Sequence, residues 1–400
     1  MKILFVIPSL KCGGQEKAGM VLCNYLLQYH EVTALCFEAE SSGEYKYECP
    51  VIRIPIATGQ GIIRKTLAAI KRIRKIKRIK KQLQPDVSIA FGNTAIILNA
   101  FSNSAEKKIA SIRQSFSGIM QNTSPVMKLH LYLYVWALRR ADVIVAVSNA
   151  INAELKAYFN IVNEVYINNG INHKDINMLA DVEADSMHGD KKWIVHSGRF
   201  NRSKGHWHLI KIFSAIKKNI PQLGLILLGG TDTADTTGKE IEKFCRQYLT
   251  RQNISFSQEA GADADVWFAG HQANPFKFIK KATLFVLPSL WEGFPNALLE
   301  AMSCGVPVVA AKCQTGPEEI LRENNELFGL LLPAFATVFN ISDQRLSSLE
   351  EKWAHAITGL IQDKDRLKHF GSQSIKRVEK YSVESMGRQW MQLLDRLNKK

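Results

Sequence analysis

The segment Leu284–Ala310, LFVLPSLWEGFPNALLEAMSCGVPVVA, constrains the fold more tightly than any other part of the chain. Leu284–Ser289 is an apolar run with a proline near its end, which is typical of a buried strand that leads into a loop. Pro295 follows the loop and suits the first turn of a helix, where the N–H that proline lacks would have no partner. Gly305 and Pro307 end this helix, and a second apolar run follows. The segment therefore predicts a strand, loop, helix and strand.

Two carboxylates lie in this segment. Glu292 is in the loop at the carboxyl end of the first strand, where open parallel sheets bind ligands. Glu300 lies four residues after Asn296, so both side chains occupy one face of the helix. Gly293 allows a ligand to approach the backbone, and the free N–H groups of the first helical turn suit an anion or a sugar oxygen. Either glutamate alone would be an ordinary surface charge, but the combination predicts a ligand site.

The segment resembles the E-x7-E signature of retaining GT-B glycosyltransferases of family four, S-x-x-E-G-F-P-N-x-L-L-E-A-M-x-x-G-x-P-V-V-A, and every specified position from Ser289 to Ala310 matches. The resemblance implies an α/β protein with the GT-B fold, in which two doubly wound Rossmann-like domains face each other across a cleft. In that family the first Glu holds the transferred sugar and the second holds the ribose of the nucleotide, so these roles pass to Glu292 and Glu300. Donor-binding positions implied beside them are Gly293, Phe294, Pro295 and Asn296.

The N-terminal region repeats the alternation of apolar runs and helical patterns that a doubly wound sheet requires. Lys2–Pro8 is a first strand and Gln15–Tyr29 a helix, with Tyr25 among the residues expected to face the sheet. The glycine pair between them is by itself only a turn, but it resembles the family's G-G-x-E loop, which implies that Gly13 and Gly14 face the donor and Glu16 the acceptor. Further strands are predicted at Glu31–Phe37, Val51–Ile56, Val87–Phe91, Lys108–Ile112 and Val143–Val147.

Arg113 directly follows one of these strands, where many relatives place a His or another polar residue of the site. Two interpretations are open: a residue on the acceptor side of the site, or an exposed structural arginine.

The chain is expected to form two domains, because 400 residues exceed one ordinary core. Residues 1–172 would form the acceptor-side domain, and the polar, acidic residues 173–190 a linker. Residues 191–379 would form the domain that binds the nucleotide sugar, and a C-terminal helix at about 380–400 would pack back on the first domain.

The second domain contains further motifs of the family. Its G-R-x-x-x-x-K-G pattern places Arg199 and Lys204 five residues apart in one loop, where two cations can bind one diphosphate. The F-x-G-x-x-x-N-P pattern implies that Gly270 and His271 lie at the nucleobase. Asp263-Ala-Asp265 resembles the metal motif of another glycosyltransferase fold, but it precedes its strand. We therefore expect no metal and no other cofactor.

A basic segment accounts for most of the net charge of +15, with ten basic and no acidic residues between Arg64 and Lys81. Apolar residues at 63, 67, 70, 73 and 76 follow helical spacing. A solvated helix usually mixes both signs, so a wholly basic face favours an anionic partner, either nucleic acid or lipid phosphate. Lipid is favoured because no aromatic residues for base stacking are interleaved. The cations assigned to this partner or to the acceptor are Lys71, Arg74, Lys75 and Arg78.

The family resemblance, taken with the basic segment, implies a metal-independent, retaining transferase in surface polysaccharide or O-antigen biosynthesis. It would move a hexose or N-acetylhexosamine from a UDP-sugar to a polyprenyl-pyrophosphate-linked oligosaccharide. The chain has no apolar run of about 18–20 residues and no signal peptide, so the expected location is cytoplasmic, peripheral on the inner face of the membrane. A transferase with a soluble acceptor, a sugar-nucleotide epimerase of the same fold and a nucleic-acid-binding protein remain alternatives.

Overall fold

The computed structural model describes residues 1–400 except 12, 42, 58, 60, 103, 121–123, 164, 185–186, 188–190, 232–234, 337–344 and 400. The chain divides into two compact units. The first unit comprises Met1–Ile171 with Tyr381–Lys400, and the second unit comprises Asn172–Lys380.

The strands are β1 Lys2–Ile7, β2 Glu31–Cys36, β3 Val51–Arg53, β4 Val87–Phe91, β5 Lys107–Ile112, β6 Val143–Ala146, β7 Lys192–Ser197, β8 Leu223–Leu228, β9 Phe256–Ser257, β10 Val266–Gly270, β11 Leu284–Leu287, β12 Val308–Lys312, β13 Arg322–Glu323, β14 Glu326–Leu327 and β15 Leu330–Pro333. The α-helices are α1 Gly14–Leu27, α2 Ile62–Leu83, α3 Asn93–Phe101, α4 Phe116–Met120, α5 Pro125–Leu138, α6 Asn149–Phe159, α7 His173–Ala180, α8 His206–Asn219, α9 Thr236–Arg251, α10 Phe276–Lys280, α11 Asn296–Ser303, α12 Pro317–Leu321, α13 Ser348–Gln362, α14 Lys364–Val378 and α15 Val383–Asn398.

Each unit is built on a parallel sheet. The first sheet has the order β3-β2-β1-β4-β5-β6, and the second has the order β15-β12-β11-β7-β8-β10-β9. Central strands such as β4 and β8 are buried along their whole length because helices cover both faces of a parallel sheet. The Rossmann-like α/β architecture predicted from the alternation of strands and helices is confirmed.

The C-terminal helix α15 belongs to the first unit and packs against α1. Trp390 of α15 is fully buried in the core that also contains Leu22 and Leu26 of α1. A side chain at Gly387 would overlap the ring of Tyr25, so glycine lets the two helices approach closely. Tyr25, which we expected to face the sheet, therefore packs on α15.

Three boundary predictions were wrong. The segment 173–190, which we predicted to be a linker, begins with helix α7. The Asn172 side chain accepts the Asp175 N–H and so caps this helix, which buries Ile176. Residues 185–186 and 188–190 of this prediction lie outside the described residues. The strand predicted at Val51–Ile56 ends at Arg53. Pro295 caps α11 from outside, and the helix begins at Asn296.

Helix α2 is only half packed. Ile76 and Ala68 are buried, whereas Ile63 and Leu67 are 77% and 53% exposed. Lys80, one of the ten basic residues of this segment, is buried. Its ammonium group lies 2.6 Å from the Glu106 carboxylate, and this buried ion pair anchors the C-terminal half of α2.

Candidate active site

The loops after β7 and β11 meet at the edge of the second sheet where its strand order reverses. β7 lies between β11 and β8, and doubly wound sheets bind ligands beyond the carboxyl ends of strands at such a point. The Leu290 N–H donates to the Ser203 carbonyl at 2.8 Å, which joins the two loops through their backbones. Gly205 has φ +64°, and a side chain there would overlap the Pro288 carbonyl oxygen. Only glycine permits this close approach.

Glu292 and Lys204 form an ion pair where these loops meet. The Lys204 Nζ lies 2.6 Å from Glu292 Oε1, and the same oxygen accepts a hydrogen bond from the Ser289 hydroxyl at 2.6 Å. Glu292 is 9% exposed, and the Lys204 side chain is 20% exposed. The carboxylate is therefore held in one orientation by a cation and a hydroxyl. The cation lies at the edge of the sheet where the strand order reverses, which we call the switch point.

The loop after β12 supports Glu292 from the other side. The Thr315 hydroxyl donates to the backbone carbonyl of Glu292. Gly316 has φ +88°, and a Cβ atom there would lie 2.7 Å from Pro295 Cδ. Burial, and then the charge of Glu292, raise the pKa of the Cys313 thiol to about 12, so Cys313 stays neutral. Three loops of the sheet thus converge on one carboxylate.

Helix α11 begins directly after this loop and presents the second glutamate. Glu300 is buried, at 8% exposure, and lies one helical turn after Asn296 on the same face. Phe294 is also buried, which holds the start of the helix against the unit. Both glutamates of the E-x7-E signature are therefore withdrawn from bulk solvent, and neither is an ordinary surface charge.

Arg199 and Lys204 have different surroundings, although they share one loop. Lys204 is paired with Glu292, whereas Arg199 is exposed and forms no ion pair with any described residue. The structure does not bring the two cations together by contact. Their proposed action on one diphosphate stays a prediction.

Glycines close the ends of β7, β8 and β10. The Gly198 N–H donates to the Leu228 carbonyl at 2.8 Å, and the Gly229 N–H donates to the Gly270 carbonyl at 2.7 Å. Gly229 has φ +118°, and a side chain there would overlap the Gly198 carbonyl oxygen. His271 follows Gly270 and is exposed at this edge. Main-chain groups of these glycines therefore lie at this side of the site beside His271, which fits recognition of a ligand through the main chain.

Two supporting residues were not recognised from the sequence. Ser289 matched the family pattern but was not assigned a contact with Glu292. His196 is fully buried beneath the β7 loop, and its Nδ1 lies 2.9 Å from the Val286 carbonyl of β11. Burial, together with the charge of Lys204, lowers the pKa of His196 to about 4. The only sequence signal for His196 was its position in the apolar run of β7, just before the loop that contains Gly198, Arg199 and Lys204. We call this loop the Gly-Arg loop.

The glycine loop of the first unit also lies at a point where the strand order reverses, here between β1 and β4. Gly13 precedes α1 in an extended conformation, and Gly14 is the first residue of the helix. Gly92, after β4, has φ +86°, and a Cβ atom there would lie 2.6 Å from the Gln15 amide. Glu16 lies in the first turn of α1 and is partly buried.

Two family models match the chain and together span most of it. The model described as Glycosyltransferase Family 4 matches residues 12–175, and the model described as Glycosyl transferases group 1 matches residues 181–377. The chain belongs to glycosyltransferase family four. This family-four glycosyltransferase therefore carries the E-x7-E carboxylates and the Gly-Arg loop at the switch point of its second sheet.

Relatives of this family-four glycosyltransferase match over most of its length. One is the N-acetylgalactosamine-N,N'-diacetylbacillosaminyl-diphospho-undecaprenol 4-alpha-N-acetylgalactosaminyltransferase of Campylobacter jejuni, which is 24% identical over 338 residues, covering 83% of this chain and 86% of the relative. Sucrose-phosphate synthase from Thermosynechococcus elongatus has a TM-score of 0.78 at 21% identity, covering 99% and 98% of the two chains. Anabaena HepE in complex with UDP and glucose has a TM-score of 0.77 at 19% identity, covering 99% of each chain. These likenesses confirm the GT-B fold.

The acceptor-side residues of this family-four glycosyltransferase fall into two groups. Lys71, Arg74, Lys75 and Arg78 are all exposed on α2 and form no ion pair with any residue that the structure describes. Arg113 is buried, at 7% exposure, so it is not the exposed structural arginine considered above.

No described helix has the length and apolar character needed to span a bilayer. Within the described ranges, no three His, Cys, Asp or Glu side chains are grouped to hold a metal ion. Asp263 and Asp265 form ion pairs with Lys191 and Lys217 at 2.6 and 2.5 Å.

Proposed function

We propose that this glycosyltransferase transfers a hexose or N-acetylhexosamine from a UDP-sugar to a saccharide carried on a lipid pyrophosphate, with retention of anomeric configuration. The transfer would take place at the cytoplasmic face of a membrane and would not need a metal ion. The observation that carries the acceptor part of the proposal is the exposed surface of α2, which is basic and, in its N-terminal half, apolar.

The second unit supplies the donor chemistry in this proposal. Glu292 would hold hydroxyl groups of the transferred sugar, and Glu300 those of the ribose. Lys204, already oriented by Glu292 at 2.6 Å, and Arg199 would oppose the charge of the leaving diphosphate. The bond between the anomeric carbon and the phosphate oxygen breaks, and the acceptor hydroxyl oxygen bonds to the same face. Its proton passes to the departing phosphate oxygen, so no protein nucleophile is required.

Lys204 has a second use in this scheme, because its charge neutralises Glu292. A diphosphate that enters beside an uncompensated carboxylate would be repelled, and at low dielectric such repulsion is large. The ion pair lets one carboxylate and one diphosphate lie on either side of a single cation. UDP as the nucleotide is supported by the likeness to HepE, whose complex contains UDP and glucose.

The first unit supplies the membrane contact. Helices α2 and α5 both begin on the side where the parallel strands end, because each returns the chain to the start of the next strand. Ile63 and Leu67 of α2 and Val126 and Leu129 of α5 are exposed in these N-terminal halves. Apolar side chains next to a row of cations suit the boundary between lipid headgroups and acyl chains. The Campylobacter jejuni relative is named for a diphospho-undecaprenol substrate, which supports a lipid-linked acceptor.

The test removes charge from α2 while leaving the donor site intact. Replacing Lys71, Arg74, Lys75 and Arg78 with Gln should weaken binding to anionic phosphatidylglycerol vesicles by roughly a thousandfold at low salt, since each cation near the surface contributes about 1 kcal/mol. The apparent KM for a lipid-pyrophosphate saccharide should rise. Hydrolysis of the donor to free sugar should change little, because it depends on the second unit.

A matched control removes the same number of positive charges, four, from exposed positions of the second unit. Its members are Lys352, Lys364, Lys368 and Lys376, which form no ion pair with any described residue. This control should bind vesicles and use the lipid acceptor like the parent. If both quadruple variants show the same vesicle binding and the same apparent KM for the lipid acceptor, α2 is an ordinary solvated helix. A soluble acceptor then becomes the better interpretation. Salt-dependent RNA binding without any UDP binding would instead favour the nucleic-acid alternative.

A further inference from the structure

Arg113 is a buried cation that has no counter-charge among the residues the structure describes. It lies just after β5 and is 7% exposed. Its Nη1 donates to Asn169 Oδ1 at 2.8 Å, and its guanidinium carbon lies 4.1 Å from the centre of the Phe91 ring. Its Nε is buried and has no acceptor among the described residues. Both partners, an amide and an aromatic ring, are neutral.

The other buried cations of the described chain are all neutralised. Lys80 lies 2.6 Å from Glu106, Lys211 lies 2.7 Å from Glu350, and Arg377 lies 2.6 Å from Glu323. Burial of an unpaired charge is costly, which is why proteins pair such groups. Burial lowers the pKa of Arg113 to about 9, so the group still carries its charge at neutral pH. Among the described residues, Arg113 is the buried Lys or Arg side chain that lacks a carboxylate partner.

The loop that carries Arg113 is held rigidly. Glu154 accepts hydrogen bonds from the Ser115 hydroxyl at 2.7 Å, the Phe116 N–H at 2.8 Å and the Ser117 hydroxyl at 2.6 Å. These bonds fix the backbone directly after Arg113, and Phe91 and Asn169 fix its guanidinium. A cation that is fixed before its ligand arrives loses little conformational entropy on binding.

The location also favours a ligand. Arg113 lies at the carboxyl edge of the first sheet, just after β5, which is the strand next to β4, and β4 adjoins β1 where the strand order reverses. Gly92, whose φ is +86°, follows β4 at the same edge. The uncompensated charge is thus at the edge of the sheet where substrates of this architecture bind, and not at its opposite edge.

We propose that Arg113 anchors an anion subsite in the first unit and receives a phosphate or carboxylate group of a substrate. A guanidinium presents parallel N–H groups that match two oxygens of such an anion, and at Arg113 these donors are not all used within the protein. The inference rests on the proposed function for the identity of that substrate. The anion would be either the pyrophosphate of the lipid acceptor or the carboxylate of an acidic sugar.

The test uses the full chain and measures binding by calorimetry, with UDP titrated first. Failure of UDP to bind would contradict the proposed donor and not the subsite. Inorganic pyrophosphate and glucuronate are then titrated at saturating UDP, with glucose as the uncharged counterpart of glucuronate. Arg113→Met should weaken binding of one anion about tenfold or more, the loss expected for one charge-assisted hydrogen bond. The anion affected identifies the source, and glucose should bind parent and variant alike.

Thermal unfolding without ligand separates a binding role from a structural one. Arg113→Met removes an unpaired buried charge, so its Tm should equal or exceed that of the parent. Asn169→Asp keeps the shape and supplies the missing carboxylate 2.8 Å from Nη1. It should raise the Tm and, by neutralising Arg113, weaken binding of the same anion about tenfold. The proposal is overturned if the parent binds neither anion at millimolar concentration, or if Asn169→Asp raises the Tm while anion binding is unchanged.

Discussion

Replacing Lys204 with Met tests whether the ion pair with Glu292 organises the donor site. Met has nearly the length of Lys and can occupy the same space, but it carries no charge. The variant leaves the Glu292 carboxylate at 9% exposure with the Ser289 hydroxyl still 2.6 Å away. The perturbation therefore removes one interaction and leaves a buried anion partly satisfied.

The expected loss of stability can be bounded from this geometry. Breaking a buried pair by removing one partner costs about 3–5 kcal/mol. The Lys204 side chain is 20% exposed and Ser289 remains, so the lower limit of about 3 kcal/mol applies. UDP binding should weaken as well, by about 1.5–3 kcal/mol for the lost charge-assisted hydrogen bond, and further through repulsion from Glu292.

The second change, Glu292→Gln, makes the prediction specific. In the double variant Lys204→Met with Glu292→Gln no uncompensated carboxylate remains. The double variant should therefore be more stable than Lys204→Met alone and should bind UDP more tightly than that single variant. The coupling free energy should lie at about 1–3 kcal/mol, in the range found for residues in direct contact.

The assay is a double-mutant cycle on four proteins, with urea unfolding for stability and calorimetry for UDP affinity. Turnover is not used, because Glu292→Gln is expected to abolish transfer by itself. Lys218, which is exposed and forms no ion pair with a described residue, provides the control cycle with Glu292. That control should be additive. Additivity within about 0.3 kcal/mol in the Lys204 cycle as well would refute the organising role of the pair.

Three further variants test single residues. Arg199→Ala should lower kcat about 10- to 100-fold with a smaller effect on UDP affinity, because the leaving diphosphate gains charge in the transition state; equal losses would show that Arg199 only anchors the nucleotide. Glu300→Gln should lose about 10-fold or more in UDP affinity and lose the preference for UDP over deoxy-UDP, while its Tm is retained. Below pH 6.5 the unfolded chain protonates His196 but the folded chain, with its pKa near 4, does not, so stability falls on acidification. His196→Asn should reduce that slope by about 1.4 kcal/mol per pH unit between pH 6.5 and 4, as urea unfolding would measure; an unchanged slope would contradict the assignment.

Much of the architecture could be predicted from local pattern. Val87–Phe91 has the predicted bounds, because short apolar runs between turn signals describe buried strands well. Helix α7 was missed because one N-cap and one buried isoleucine in eight residues give a weak periodic signal. The exposure of Ile63 was also missed, since periodicity shows that a helix has an apolar face but does not show what covers that face.

The sequence by itself determined that two carboxylates, a Gly-Arg loop and a glycine pair follow the strands of two parallel sheets, because strand, helix and turn signals act over a few residues. Only the tertiary structure decided which charges meet. Lys204 and Glu292 are 88 residues apart, and Arg113 and Asn169 are 56 apart. The order of strands in the sheet determines such contacts, because it brings loops from distant parts of the chain to one edge. The same ordering pairs Lys80 with Glu106 and leaves Arg113 buried beside neutral groups, a difference that no local pattern around either residue encodes.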